Sequence, residues 1–297
     1  MTIHADMSEQ GYRALPGVSG TQVKTLLTSP AMIGVPVTVT DAMRLGTAFH
    51  AALLEDWRGV AVISEVTKNA GKSNTETIEC RAWTLTDAQQ QRDAAIAEGL
   101  TPIHLGEQET ILAMLAAVRS HPDAGPIFTA NGQAEVSLTW EVDGVPCKGR
   151  IDWLAGRVYD VKSIGGVSGD FEDACQKAIG DWGTHGQQMH YASGVLANNL
   201  IAKGSPVLVY VERDFPYRVA VIELSDFDAQ QGLEMCREAY RRWADCTAAG
   251  VWPTGSPEGV RKSRIPQWSA RMWDRRVNGE TPDASETIAA LEEIIGE

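Results

Sequence analysis

The sequence predicts a mixed α/β fold, a β-sheet flanked by helices, and three observations carry the prediction. Apolar residues recur at helical spacing from Val23 to Val118, a block of about thirty residues from Ala134 alternates in the manner of strands, and a helix, two strands and a long helix follow. The order α, β-meander, α-β-β-α suits one sheet covered by helices. At 297 residues, 43% apolar and 22% charged, the chain has an ordinary globular composition and the length to bury a full core. One domain over residues 1–276 is expected, followed by an acidic tail, 277–297.

The elements follow in order. Ser19 can cap a helix carrying Val23, Leu26 and Leu27, which Ser29-Pro30 ends. A second helix runs from about Asp41 to Leu54, with His50 among the apolar Met43, Phe49, Leu53 and Leu54. Residues 60–100 are mixed, with a loop near Gly71 and a helix from Thr86 to Glu98; Ile111, Leu112, Leu115 and Val118 mark another from Glu107 to Arg119. Ala134 to Val142 and Val145 to Leu154 are strands joined by Asp143-Gly144, a strong hairpin signal, and a third strand spans Val158 to Ser163. A helix from Gly183 to Asn199 precedes strands at Pro206 to Glu212 and Tyr217 to Glu223, then a helix from Asp226 to Ala249.

Composition removes several classes. There is no run of eighteen apolar residues, and MTIHADMSEQ lacks the basic and apolar regions of a signal peptide, so no membrane partner and a cytoplasmic location are expected. The five cysteines form no CxxC pair, which argues against a disulfide framework, a zinc knuckle and a four-cysteine iron–sulfur cluster. A net charge of −13 speaks against a phosphate-rich partner, but six acids and no Lys or Arg lie in the tail from Val277. Just before it, Arg261, Lys262, Arg264, Arg271, Arg275 and Arg276 interleave with Trp268 and Trp273. That stretch fits either a phosphate backbone or a solvated face paired with the tail.

The strongest chemical signal lies between Asp152 and Lys162. The three-residue loop Ala155-Gly156-Arg157 sets a hairpin register that places Trp153 opposite Tyr159, Asp152 opposite Asp160, Ile151 opposite Val161 and Arg150 opposite Lys162. One face then collects Ile151, Trp153, Tyr159 and Val161 for the core, and the other presents Asp152, Asp160 and Lys162. Paired like charges destabilise a hairpin unless a cation offsets them. Magnesium, which takes oxygen ligands and often only one or two carboxylates, meets that need. Lys162 would set an ammonium beside a metal-bound phosphate. A surface salt bridge between Lys162 and either aspartate explains the same tripeptide.

Several segments, taken in order, resemble a known family. They are Leu15-Pro16-Gly17-Val18-Ser19 with Ser29-Pro30, Leu45-Gly46-Thr47-Ala48-Phe49-His50 running to Leu54-Glu55, Ala134-Glu135-Val136-Ser137, and Gly149-Arg150-Ile151-Asp152. Tyr159-Asp160-Val161-Lys162-Ser163, Gln187 to Tyr191 and Trp252-Pro253 complete the set. Over about residues 12 to 273 the chain resembles the RecE-type exonucleases, exodeoxyribonuclease VIII and its phage-encoded relatives, in the PD-(D/E)xK superfamily. The resemblance implies that His50, Asp152, Asp160 and the Val161 carbonyl bind metal, that Lys162 is the catalytic lysine, and that Gln187 and Tyr191 form a Q-x-x-x-Y motif near the site. Glu135 matches an acidic position behind the ligands. Ser19, Thr21 and Lys24 are candidates for holding a terminal 5′-phosphate, with a plain helix cap as the other reading, and Arg261, Lys262 and Arg264 are candidates for contacting DNA.

The implied activity is magnesium-dependent 5′ to 3′ digestion of linear double-stranded DNA, with manganese able to substitute. It releases mononucleotides and leaves a 3′ single strand for an annealing protein in recombination, and a homo-oligomeric ring encloses the DNA. Gly20, where the family tends to carry a polar or basic residue, and the acidic tail depart from the pattern. Two other readings share the motif: an endonuclease of the same superfamily, and a DNA-binding clamp without catalysis. A glycosidase carboxylate pair has no use for Lys162.

Overall fold

The computed structural model describes residues 2–4, 7–69, 75–200, 203–256, 259–260, 262–263 and 267–277. It opens with β1 (Thr2–His4), α1 (Glu9–Ala14), α2 (Gly20–Thr28) and α3 (Asp41–Leu54). Short strands β2 (Val60–Ile63), β3 (Glu65–Asn69) and β4 (Thr75–Glu79) precede α4 (Thr86–Ala97), β5 (Thr101–His104), α5 (Leu105–Ser120) and α6 (Ala124–Thr129). The meander is β6 (Gln133–Val142), β7 (Val145–Leu154) and β8 (Val158–Ile164), followed by α7 (Phe171–Trp182) and α8 (Thr184–Ala197). Then come β9 (Val207–Glu212), β10 (Val219–Glu223), α9 (Asp226–Ala249) and α10 (Gln267–Val277). Two compact units result, Met1–Gly255 and Ser256–Glu297; the first holds the sheet and the second α10. The expected tail lies, from residue 278 on, outside the described residues.

The main sheet has the order β1-β6-β7-β8-β9-β10, antiparallel throughout except for the parallel pair β8 and β9. It is a mixed sheet flanked by helices, as the sequence predicts. Every residue of β9 is buried, the pattern of a strand covered on both sides. On one side Ala48 and Phe49 of α3 and Ile111, Met114, Leu115 and Val118 of α5 pack against Val161, Val209 and Val211. Each such Phe, Ile, Met, Leu or Val side chain stabilises the fold by about 1.5–3 kcal/mol relative to exposure. A second cluster joins Val23 and Leu26 of α2, Val195 of α8 and Ala239 and Tyr240 of α9 to Leu138, Trp140 and Ile151. In a third, Phe171 and Ile179 of α7 meet Leu208 and Tyr210 of β9.

The structure adds elements to the expected set and shortens one pairing. The stretch from residue 60, expected to be mixed, holds two small sheets, β2 with β5 and β3 with β4, and the helix expected from Thr86 is α4, while the loop expected near Gly71 lies outside the described residues. The helix expected from Gly183 to Asn199 is α8, and α7, in a stretch given no element by the sequence, ends at Gly183, whose φ is +66°. The hairpin register is right but short. Trp153 pairs with Tyr159 and Leu154 with Val158, and there the β7–β8 ladder stops. Asp152 with Asp160, Ile151 with Val161 and Arg150 with Lys162 therefore form no pairs. Ile151 and Val161 fall into different core clusters, because strands that separate no longer share one side-chain alternation.

Candidate metal and catalytic site

The gap opened between β7 and β8 is where the polar residues gather. Thr40 caps α3 by accepting from the Met43 N–H, and the helix presents His50 one turn before its end. The His50 Nε2 lies 2.9 Å from the Val161 carbonyl and its Nδ1 3.6 Å from Asp152 Oδ2. Asp152, having lost its strand partner, accepts a hydrogen bond from the Val161 N–H at 2.8 Å through Oδ2. A side chain thus replaces the ladder bond and crosses the gap.

Across β6, Glu135 and Asp152 would be opposite one another, but their pair is missing from an otherwise continuous register. Glu135 has φ +51°, a conformation that costs a residue with a Cβ about 1–3 kcal/mol. The turn of the backbone carries its carboxylate into the gap, where single ligand atoms of His50, Glu135 and Asp152 all lie within 4.8 Å of one another. Burial first, then the Asp152 charge, push the Glu135 carboxyl up to about 7, against the opposing pull of Arg150. Arg150 donates to Glu135 at 2.5 Å and also to the Met7 carbonyl at 2.7 Å and to Ser137 Oγ at 3.1 Å. Arg150 therefore ties Met7, just before α1, to Glu135. Glu135, expected behind the ligands, lies within the group of three side chains that could hold a metal ion.

Asp160 and Lys162 lie beside this cluster. Asp160 is 1% exposed, and its Oδ2 is 2.6 Å from Lys162 Nζ. Burial raises the Asp160 pKa, with Lys162 as the largest opposing influence. For Lys162, burial favours the neutral amine, but the charges of Asp160 and Asp152 outweigh it and the net shift is upward. The lysine is held as an ammonium. Asp160 Oδ2 is engaged by the Lys162 ammonium, and Oδ1 has no hydrogen-bond partner among the described residues. One imidazole, two crowded carboxylates and a third buried carboxylate nearby fit a divalent cation of the magnesium or manganese type.

The remaining candidates separate. Gln187 donates to Tyr191 Oη at 3.0 Å on one face of α8, and Tyr191 is buried, its phenol raised well above the ordinary range by burial. Both touch Gly20, where a Cβ would meet Gln187 Cγ and Tyr191 Cε1 at 2.9 Å; the departure noted at this position has a steric cause. Ser19 is the cap of α2, its N–H bound to Gln22 Oε1 at 2.9 Å and its Oγ 3.2 Å from Thr21 Oγ1. Lys24 donates to the Asp181 carbonyl. Those three residues are engaged in helix ends. Lys262 is exposed in the second unit, while Arg261 and Arg264 lie outside the described residues. Arg150 and Lys148 had no assigned role in the sequence, although spacing by two from Asp152 put all three in one alternation. Lys148 donates to the carbonyls of Leu15 at 2.5 Å and Arg13 at 2.9 Å and so fastens the end of α1.

If His50 binds metal, His50→Ala should leave the fold intact and raise the magnesium or manganese concentration for half-maximal activity by about 10-fold or more. An unchanged requirement in a metal titration would make His50 a structural partner of Val161 only.

The PDDEXK-like domain of unknown function (DUF3799) matches residues 35–259. No curated protein matches the chain. Among solved structures, a protein from Eubacterium rectale described as a "putative exonuclease" superposes with a TM-score of 0.57 at 13% identity, covering 90% of this chain and 98% of its own. That likeness shows the shared fold, and both findings are consistent with the RecE-type resemblance. Among the described residues no helix is long and apolar enough to cross a membrane. With more than half of its length matched, the chain belongs to the PDDEXK-like domain family.

Proposed function

We propose that this protein is a magnesium-dependent 5′ to 3′ exodeoxyribonuclease acting on linear double-stranded DNA, with manganese able to substitute. The observation that carries the reading is the early end of the β7–β8 ladder, which lets His50, Glu135 and Asp152 converge beside Lys162. A bound divalent cation would polarise the scissile phosphate and make a water acidic enough to attack it. The chain's own groups do the rest. Asp152 is aimed by the Val161 N–H, Glu135 by Arg150, and His50 stands against the Val161 carbonyl. Lys162, an ammonium, stabilises charge developing on the phosphoryl oxygens rather than acting as a base. Cleavage that yields 5′-mononucleotides would leave 3′ single strands for an annealing protein. The basic residues Arg261, Lys262 and Arg264, and Ser19, Thr21 and Lys24 at the start of α2, are proposed DNA contacts, and a homo-oligomeric ring is the proposed assembly.

The test is a duplex labelled separately at each end. With magnesium, the 5′ label should appear early as mononucleotide while the 3′ label on the same strand stays in long product, and chelation should stop both. Early release of the 3′ label would reverse the assigned polarity.

A further inference from the structure

Six described side chains bury a polar nitrogen or oxygen without a hydrogen-bond partner, and four of them belong to one layer of the molecule: Asp160, Thr184, Gln188 and Tyr210. All four are at most 1% exposed. In the parallel β8–β9 register Lys162 stands beside Tyr210, so both leave the sheet on one face, and Asp160, two residues earlier, shares it. Thr184 and Gln188 are four residues apart on α8, hence on one face of a helix that packs over β8. Burial first, and the Asp160 charge second, push the Tyr210 phenol up, so it remains a hydroxyl donor next to that carboxylate. The Thr184 hydroxyl approaches Tyr210 without meeting hydrogen-bond geometry, and the Lys162 ammonium engages Oδ2 of Asp160, which leaves Oδ1.

Left unpaired, buried groups of this kind cost about 1–3 kcal/mol each. An unpaired amide and two hydroxyls together would then consume a good part of the roughly 5–15 kcal/mol that stabilises a domain. A buried water needs two to four polar partners, which this layer supplies. We propose that Thr184, Gln188 and Tyr210 form a water-bridged network around Asp160, and that Gln188 is a positioning residue holding this carboxylate for the reaction. The inference rests on the nuclease reading for its catalytic consequence. Gln188 itself lies outside the Q-x-x-x-Y pair, whose side chains bond to each other.

The experiment replaces Gln188 by Met, which keeps the volume and removes the amide. Manganese affinity by calorimetry, kcat and KM on linear duplex, and Tm are measured on the full chain. A partner behind a metal ligand is commonly worth 10- to 100-fold in affinity or activity, so Kd for manganese should rise and kcat fall about 10-fold, with KM for DNA unchanged. The Tm should fall modestly, because the network loses one partner, so Tm serves to show that the variant folds; a merely structural glutamine would lower Tm and leave Kd and kcat alone. Tyr210→Phe, which deletes one hydroxyl, should move Kd and kcat in the same direction and decides the matter if Gln188→Met does not fold. Parental Kd and kcat in the folded variants would overturn the network. Should the parent cut no DNA, the nuclease reading fails by itself, while the shift in manganese affinity still tests the network.

Discussion

Lys162→Ala is expected to abolish DNA cleavage, with a loss of at least about 100- to 1,000-fold in kcat. Removing a preorganised charge aimed at a developing oxyanion commonly costs roughly 3–4 kcal/mol of barrier, and Lys162 is held as an ammonium with no described role in core packing. Asp160→Ala should be equally inactive. Folding consequences differ from those of an exposed cluster, because Asp160 is buried and Lys162 is its charge partner. Loss of one partner of a buried pair generally costs several kcal/mol through the charge left behind. Here burial already raises the Asp160 pKa, so in Lys162→Ala the carboxyl can take up a proton and limit that cost. Asp160→Asn keeps the shape and serves as a control for packing. Single-turnover cleavage alongside thermal unfolding separates the two effects. A Lys162→Ala protein that folds and cuts at the parental rate would remove the lysine from the chemistry.

The second large effect concerns substrate topology. Covalently closed duplex circles are expected to survive conditions that consume the same molecule once it is linearised. The reacting groups are recessed: Asp160 is 1% exposed, and the side chains of Asp152 and His50 retain 13% and 24% of their exposure. A ring that encloses DNA would require a free end, by threading. Relaxed circles, linear DNA and nicked circles, compared at equal ends and equal mass, measure this directly. Cutting of relaxed circles at the rate of linear DNA would replace the exonuclease assignment by the endonuclease one and leave the metal site as described.

What could be read in the sequence depended on local chemistry. Helices α2, α3 and α9 were placed within a residue or two because their caps, Ser19, Thr40 and Ser225, and their stops are local signals. The meander was legible from alternation and Asp143-Gly144. Helix α7 was missed because its buried face at Phe171, Cys175, Ala178 and Ile179 is made partly of small residues. The short strands β2 to β5 lacked the length to show a period.

At the site, Asp152, Asp160 and Lys162 were visible as a pattern, and His50, Gln187, Tyr191 and Glu135 entered only through the resemblance. Which of them meet was decided in three dimensions. A register counted from the Ala155-Gly156-Arg157 loop is right for the two pairs nearest it, but no local signal says where twist and packing will separate the strands. That separation turns Asp152 toward the Val161 N–H, and the positive φ of Glu135 swings a carboxylate among the ligands. It also leaves Asp160 buried on the sheet face it shares with Tyr210, 50 positions along the chain. Sequence determines the kinds of group available and their local spacing. Long-range packing decides which of them share a space dry enough, and close enough, for their charges to act on one another.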